Sequence, residues 1–265
     1  MIFTVYRLEL FKTCKRLATW VTYLCFMLLT TLIFGVQYYG ARQSHGRAYF
    51  GYPDALPAVL TAGVSVASTF CVVLIVLLVC NEFDWKTSRQ NIIDGLSKRQ
   101  WLIGKVLLMA TLAVALYVSQ LAVGGTFAFL GTSDLHRHAF DPATNYVLAA
   151  CGAVLGILGY ASIALLICVS VRSTGPTLAI ALIYQIFDNI AARILRSQRL
   201  GDIADWLPYQ IHNALLNYSQ YQPYGSAARS HLESHWNTGL LFLVAAAWVV
   251  GLIGVSFRIF TRRDL

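Results

Sequence analysis

Six apolar runs, each long enough to cross a bilayer, leave this chain little choice of fold. They cover Ala18–Tyr39, Leu56–Cys80, Trp101–Leu130, Tyr146–Val171, Pro176–Ala192 and Trp236–Phe260. A hydrocarbon layer about 30 Å thick needs about 20 residues of helix to span it, and lipid offers no partner to an open backbone. Composition agrees, since 57% of the 265 residues are hydrophobic and 12% are charged, against roughly 25% charged in soluble domains. The expectation is an all-α polytopic membrane protein, with residues 1–265 forming a single transmembrane domain.

The basic residues orient these spans. One side carries Arg7, Lys12, Lys15, Arg16, Lys86, Arg89, Lys98, Arg99, Lys105, Arg172, Arg258, Arg262 and Arg263, which includes every lysine. Arg42, Arg47, Arg137, Arg193, Arg196, Arg199 and Arg229 lie on the other, where the acids balance them, so the whole net charge of +8 falls on the first side. That side is expected to be cytoplasmic, with both termini on it and the chain in the inner (cytoplasmic) membrane of the cell. The basic balance thus reads as topology and as attraction to membrane lipid, with no nucleic acid implied.

Between the second and third spans lies a polar island, residues 82–100, whose pattern is structured. Trp85, Arg89, Ile92 and Leu96 fall on one helical face, and Lys86, Gln90, Asp94 and Ser97 largely on the other. Gly95 can take the left-handed conformation that closes a helix, and Ser97 with Gln100 forms an S-x-x-Q capping box for the next one. The order is therefore helix, tight turn, helix start.

Residues 1–17 are too charged to insert, yet Phe3, Tyr6, Leu10, Cys14 and Leu17 recur at helical spacing opposite Glu9, Lys12 and Arg16, the pattern of an interfacial helix. Cys14, Cys25, Cys71, Cys80, Cys151 and Cys168 include no CxxC and none falls in an outer loop, so they are expected as small buried thiols. Ser173-Thr174-Gly175-Pro176 predicts a tight turn that places a proline in the first turn of the fifth span. Gly152, Gly156 and Gly159 form a strip where another helix can approach closely. The outer excursion, residues 193–235, is broken by Gly201, Pro208, Pro223 and Gly225. Its Leu207, Ile211, Leu215 and Tyr218 recur at helical intervals, as in a short helix serving either as a lid or as a clamp between helices or subunits.

These parts together resemble the permeases of the ATP-binding-cassette type-2 transporter family. The resemblance covers nearly the whole chain: the basic amphipathic start, six spans, Glu82 leading into the island, the run IIDGLSKRQWLIGK from Ile92, the Leu207-Pro208 region and the terminal FRIFTRRDL. It implies the membrane subunit of an exporter, working as a permease dimer, with a second copy or a homologous permease, on a cytoplasmic dimer of ABC ATPases. In that family the counterpart of Phe83 to Asp94 is a coupling helix seated in the ATPase. Carried over, Glu82, Trp85, Arg89, Asp94, Gly95 and Arg99 form the coupling segment, with Trp85 standing where many members have a small residue.

No G-x-x-x-x-G-K-[ST] loop occurs; at Gly104-Lys105 the match fails, with Arg99 in the first glycine's place and Val106 after the lysine. The chain is therefore expected to be no enzyme and to hold no cofactor, with ATP and Mg on the partner ATPase. Polar residues within the spans, Gln37, Gln120, Gln185, Asp188 and Asn189, are candidates for a translocation path. Asp188 is also placed to pair with Arg193. The histidines His45, His136, His138, His212, His231 and His235 all fall outside, and HLESH lacks the H-E-x-x-H order of a zinc hydrolase, so no metal site is assigned. An intramembrane enzyme or metal-handling protein using those histidines is the alternative reading.

Overall fold

The computed structural model describes residues 2–43, 50–51, 55–132, 144–198, 200–216 and 238–262. Among them there are eleven helices and no strand: α1 (Ile2–Lys15), α2 (Leu17–Gln43), α3 (Leu56–Thr61), α4 (Val64–Asp84), α5 (Thr87–Ile93), α6 (Lys98–Gly131), α7 (Thr144–Val171), α8 (Thr174–Ser197), α9 (Gly201–Asp205), α10 (Pro208–Leu216) and α11 (Thr238–Arg262). Six helices are long and apolar enough to cross a membrane. The protein is a multi-pass membrane protein, and all six expected spans are present.

The bundle is organised around α7, which packs against α4, α6, α8, α10 and α11. Its glycine strip makes this possible. Gly152 admits Phe242 of α11 and Leu215 of α10, while a Cβ on Gly159 would fall inside the His212 ring. Short α10 is thereby seated beside the middle of α7, with Ile211, His212, Ala214 and Leu215 buried. The expected break at Pro208 begins this helix; Tyr218, Pro223 and Gly225 lie outside the described residues, as do His45, His136, His138, His231, His235 and the terminal Arg263-Asp264-Leu265.

The second span is broken near its far end, where α3 gives way to α4 at Ala62-Gly63. Gln120 of α6 lies across this break and donates Nε2 to the Val59 carbonyl at 3.2 Å. Gly63 is required there, because a Cβ would stand 2.8 Å from the Gln120 side chain. Such side-chain insertion at a glycine is an ordinary origin of a helix kink. Gln120, a path candidate by sequence, is thus buried and bonded through Nε2, with its Oε1 unpartnered.

Two expectations change. Cys80 of α4 and Cys168 of α7 are joined, with Cα atoms 5.7 Å apart, where free thiols were expected; the pairing comes from the packing of α4 on α7, which sequence spacing does not reveal. In α1 the buried residues are Val5, Glu9 and Thr13, whereas Phe3, Leu8 and Phe11 are exposed. The face carrying Glu9, read as the solvated side, is the one turned toward the bundle.

Candidate functional site at the basic end of the bundle

Why α1 turns an acid inward is answered by Lys105, about two turns into α6. This lysine is 1% exposed, and its Nζ donates to Glu9 and, at 2.7 Å, to Glu82 at the end of α4. Glu82 also accepts from Trp101 Nε1 at 3.0 Å and has the Arg16 guanidinium at 3.6 Å. Arg16 in turn donates to the Leu78 carbonyl at 3.3 Å. Buried charges persist only when paired and hydrogen-bonded, and this set meets both conditions. Gly104 lets α1 close in, since a Cβ there would meet Val5 at 3.0 Å. Burial opposes the Glu9 charge, yet Lys105 and then Lys12 beside it hold its carboxyl below the ordinary value of 4.5.

The next two residues of α4 make different attachments. Phe83 meets Trp101 at 5.5 Å and Phe260 of α11 at 6.1 Å between ring centroids, with Trp101 stacked on Phe260 at 4.7 Å. Arg172, between α7 and α8, lies over the Phe83 ring at 5.8 Å. Asp84 accepts from the Thr174 backbone N–H at 3.1 Å and from its hydroxyl, which also donates to Asn81 at 2.9 Å. The N-cap residue Ser173 makes no side-chain cap of its own. A carboxylate from another helix thus serves the positive end of α8. Through Glu82, Phe83 and Asp84, the last turn of α4 holds α6, α11 and α8 directly, and α1 through Lys105 and Glu9.

From this junction the island projects outward. α4 ends at Trp85, and Lys86 adopts φ 57°, so the chain turns before α5 starts at Thr87. Trp85, assigned by periodicity to the α5 face, instead caps α4 and sits 5.7 Å from the Arg16 guanidinium. Gly95 has φ 101°, and Leu96 N–H bonds back to the Asn91 carbonyl at 3.1 Å. The Ser97–Gln100 capping box is present in both directions. Arg89, Asp94, Gly95 and Arg99 are exposed. A groove of about 280 Å³ runs between Val5, Leu8, Glu9 and Lys12 of α1 and Asn91, Asp94, Gly95 and Leu96. Glu82, grouped by sequence with these surface residues, is 1% exposed and internal.

Residues 54–265 match the family described as a protein of unknown function, DUF2705. The chain belongs to the DUF2705 family. No curated protein matches it. The matched part of this DUF2705 member contains Glu82, Trp101, Lys105 and Asp84, while Glu9 and Arg16 precede it.

The DUF2705 match also takes in the polar residues of the far half. Asp188, expected to pair with Arg193, makes no such pair; Arg193 is exposed, and Tyr184 donates to Asp188 Oδ1 at 3.1 Å. Asn189 accepts from Gln210 Nε2 of α10 at 3.3 Å, joining α8 to α10. The ion pair near this end is Arg196–Asp205 at 3.1 Å. Gln37 is half-buried with Oε1 unpartnered, and Gln185 lies in α8 with its side chain outside the described set. Among the described side chains the path candidates are therefore dispersed, and Asn189 meets α10. Sequence reasoning missed Glu9, Lys105, Trp101 and Asp84. A lysine inside an apolar run was the available signal, because such a group needs a buried partner.

Proposed function

We propose that this protein is the membrane subunit of an ATP-driven transporter of the ABC type-2 class, set in the cell's inner membrane with both termini cytoplasmic. ATP is hydrolysed on a separate ATPase dimer, and two permease copies, or this chain and a homologue, enclose the path. The observation that carries this reading is the last turn of α4. An exposed short helix, α5, hangs directly from a junction in which Glu82, Phe83 and Asp84 hold three other helices, with a fourth, α1, tied in through Lys105. Force applied to α5 therefore has a stiff route into α1, α6, α8 and α11. The excess of lysine and arginine at this end supports a cytoplasmic placement, and the groove beside Asp94 and Gly95 offers a seat for a partner's surface.

Within this reading, Arg89, Asp94 and Arg99 touch the ATPase and Trp85 flanks them, whereas Glu82 transmits. ATPase closure shifts a two-state equilibrium of the bundle. Coexpression with the cognate ABC-type ATPase separates the two roles. Alanine at Asp94 or Arg99 is expected to weaken assembly about tenfold, the equivalent of ~1.4 kcal/mol. Glu82→Gln is expected to leave assembly intact and reduce the stimulation of ATP turnover. An ATPase whose assembly and turnover ignore all three substitutions overturns the proposal.

A further inference from the structure

Between α1, α2 and α6 lies a slot that no junction described above uses. It encloses about 340 Å³, with Leu10 and Cys14 of α1, Trp20 of α2, and Leu112 and Ala115 of α6 as walls and Leu74 of α4 behind. Four of its five hydroxyls are satisfied within the protein. Thr13 donates to the Glu9 carbonyl, Thr111 to Leu107 and Ser119 to Ala115, while Tyr23 meets Ser119 at 2.8 Å. The fifth, on Thr19, has its oxygen buried, so the slot presents hydrocarbon to whatever enters it. From Thr111 to Ser119 it runs about 12 Å along α6. Beyond its walls Leu24 of α2 and Val114 and Val118 of α6 are exposed, so the slot opens on a face that lies in lipid. The occupant at hand there is an acyl chain.

Charge sets which lipid. Arg7, Leu10 and Cys14 stand at i, i+3 and i+7 of α1, so Arg7 shares the flank that lines the slot; it is exposed and has no acidic partner among the described residues. Trp20 Nε1 donates to the Cys14 carbonyl at 2.7 Å, which places an interfacial type of side chain at the same end. A second cleft, of about 260 Å³, adjoins the slot across Thr19 and Leu74 and is lined by Arg16 and Trp85. Behind Arg16, two carboxylates, Glu9 and Glu82, face three bases, Lys12, Lys105 and Arg16, which leaves one positive charge over. We infer that the slot and the cleft form a binding site for an anionic phospholipid, its chains on either side of Thr19 and its phosphate over the corner between α1 and α2, bracketed by Arg7 and Arg16. A zwitterionic lipid fits the same hydrocarbon walls but gains nothing from that charge. The diffuse pull of a basic surface on anionic lipid needs no slot, whereas this site needs both its walls and its charge.

The test uses the purified full chain in neutral detergent, with thermal unfolding followed as dioleoylphosphatidylglycerol, dioleoylphosphatidylcholine or glycerol phosphate is added. A ligand that binds the folded chain raises the midpoint. Phosphatidylglycerol is expected to do so at a concentration about fivefold below that of phosphatidylcholine, and glycerol phosphate, a headgroup without tails, not at all. Ala115→Phe fills the slot from an exposed position on its wall; it is expected to raise the phosphatidylglycerol concentration needed by about tenfold while changing no charge. Arg7→Gln, on the exposed surface of α1, is expected to remove most of the preference for phosphatidylglycerol and to leave the phosphatidylcholine response as it was. Equal potency of the two lipids on the wild type, protection by glycerol phosphate, an undiminished response in Ala115→Phe, or a full preference retained in Arg7→Gln, each overturns the inference. No ATPase is present and neither substitution touches α5, so failure here leaves the coupling proposal standing.

Discussion

Replacing Lys105 by methionine tests the junction most directly. Methionine keeps the aliphatic length of the side chain but leaves Glu9 and Glu82, 4% and 1% exposed, without the cation they share. Removing one partner of a buried ion pair costs about 3–5 kcal/mol. Here the lower end applies, because Glu9 retains Lys12 at 3.2 Å and Glu82 retains Trp101 at 3.0 Å and Arg16 at 3.6 Å. At about 2–4 °C per kcal/mol for a chain near this size, the melting midpoint in detergent is expected to fall by about 6–12 °C. The cost is uncompensated charge rather than lost packing, so the triple variant Glu9→Gln, Glu82→Gln, Lys105→Met is expected to recover more than half of it, as apolar replacements of whole buried ion groups do. A single variant within about 2 °C of the wild type, or a triple variant no better than the single, refutes the reasoning.

Two further outcomes follow from other contacts. Gly159→Ala puts a methyl group where the His212 ring lies; it is expected to destabilise by about 1–3 kcal/mol, the usual cost of overpacking, and to increase protease cleavage around α10, with His212→Ala in the same chain restoring protection. Glu9 has its carboxyl held below 4.5, so the stability it adds is present above that value and disappears as pH falls through the lower folded one. Protease cleavage of α1 is expected to rise as pH drops from 4.5 toward 3, and Glu9→Gln is expected to flatten that dependence.

Features set by local chemistry were legible in the sequence, and features set by neighbours were not. The six spans follow from run length, and the turn at Gly95 with its Ser97–Gln100 box follows from residues within one turn of each other; all are found. Helical phase alone misplaced the inner face of α1, because an acid turns inward only when a buried base awaits it, and Lys105 is far away in sequence. The same limitation hid Glu82: its position at the head of a polar island suggested solvent, while its partners are Trp101 and Lys105 of α6 and Arg16 between α1 and α2. Trp85 was displaced from the α5 face by a left-handed Lys86, a conformation that lysine's side chain gives no reason to expect. Asp188 stands out in the sequence as an acid within a span, and its partner is a tyrosine one turn back rather than the nearby Arg193.

The attachments of Glu82, Phe83 and Asp84 have a mechanical corollary. Successive helical residues point about 100° apart, so three in a row, each fastened to a different neighbour, key the end of α4 like a shaft in a slotted collar. Rotation or sliding of α4 by a single residue would break all three fastenings together. Bending is then left to the other end, where Gly63 interrupts the second span and one Gln120 amide bridges the gap. If this protein moves, the hinge is there and the collar travels as one piece.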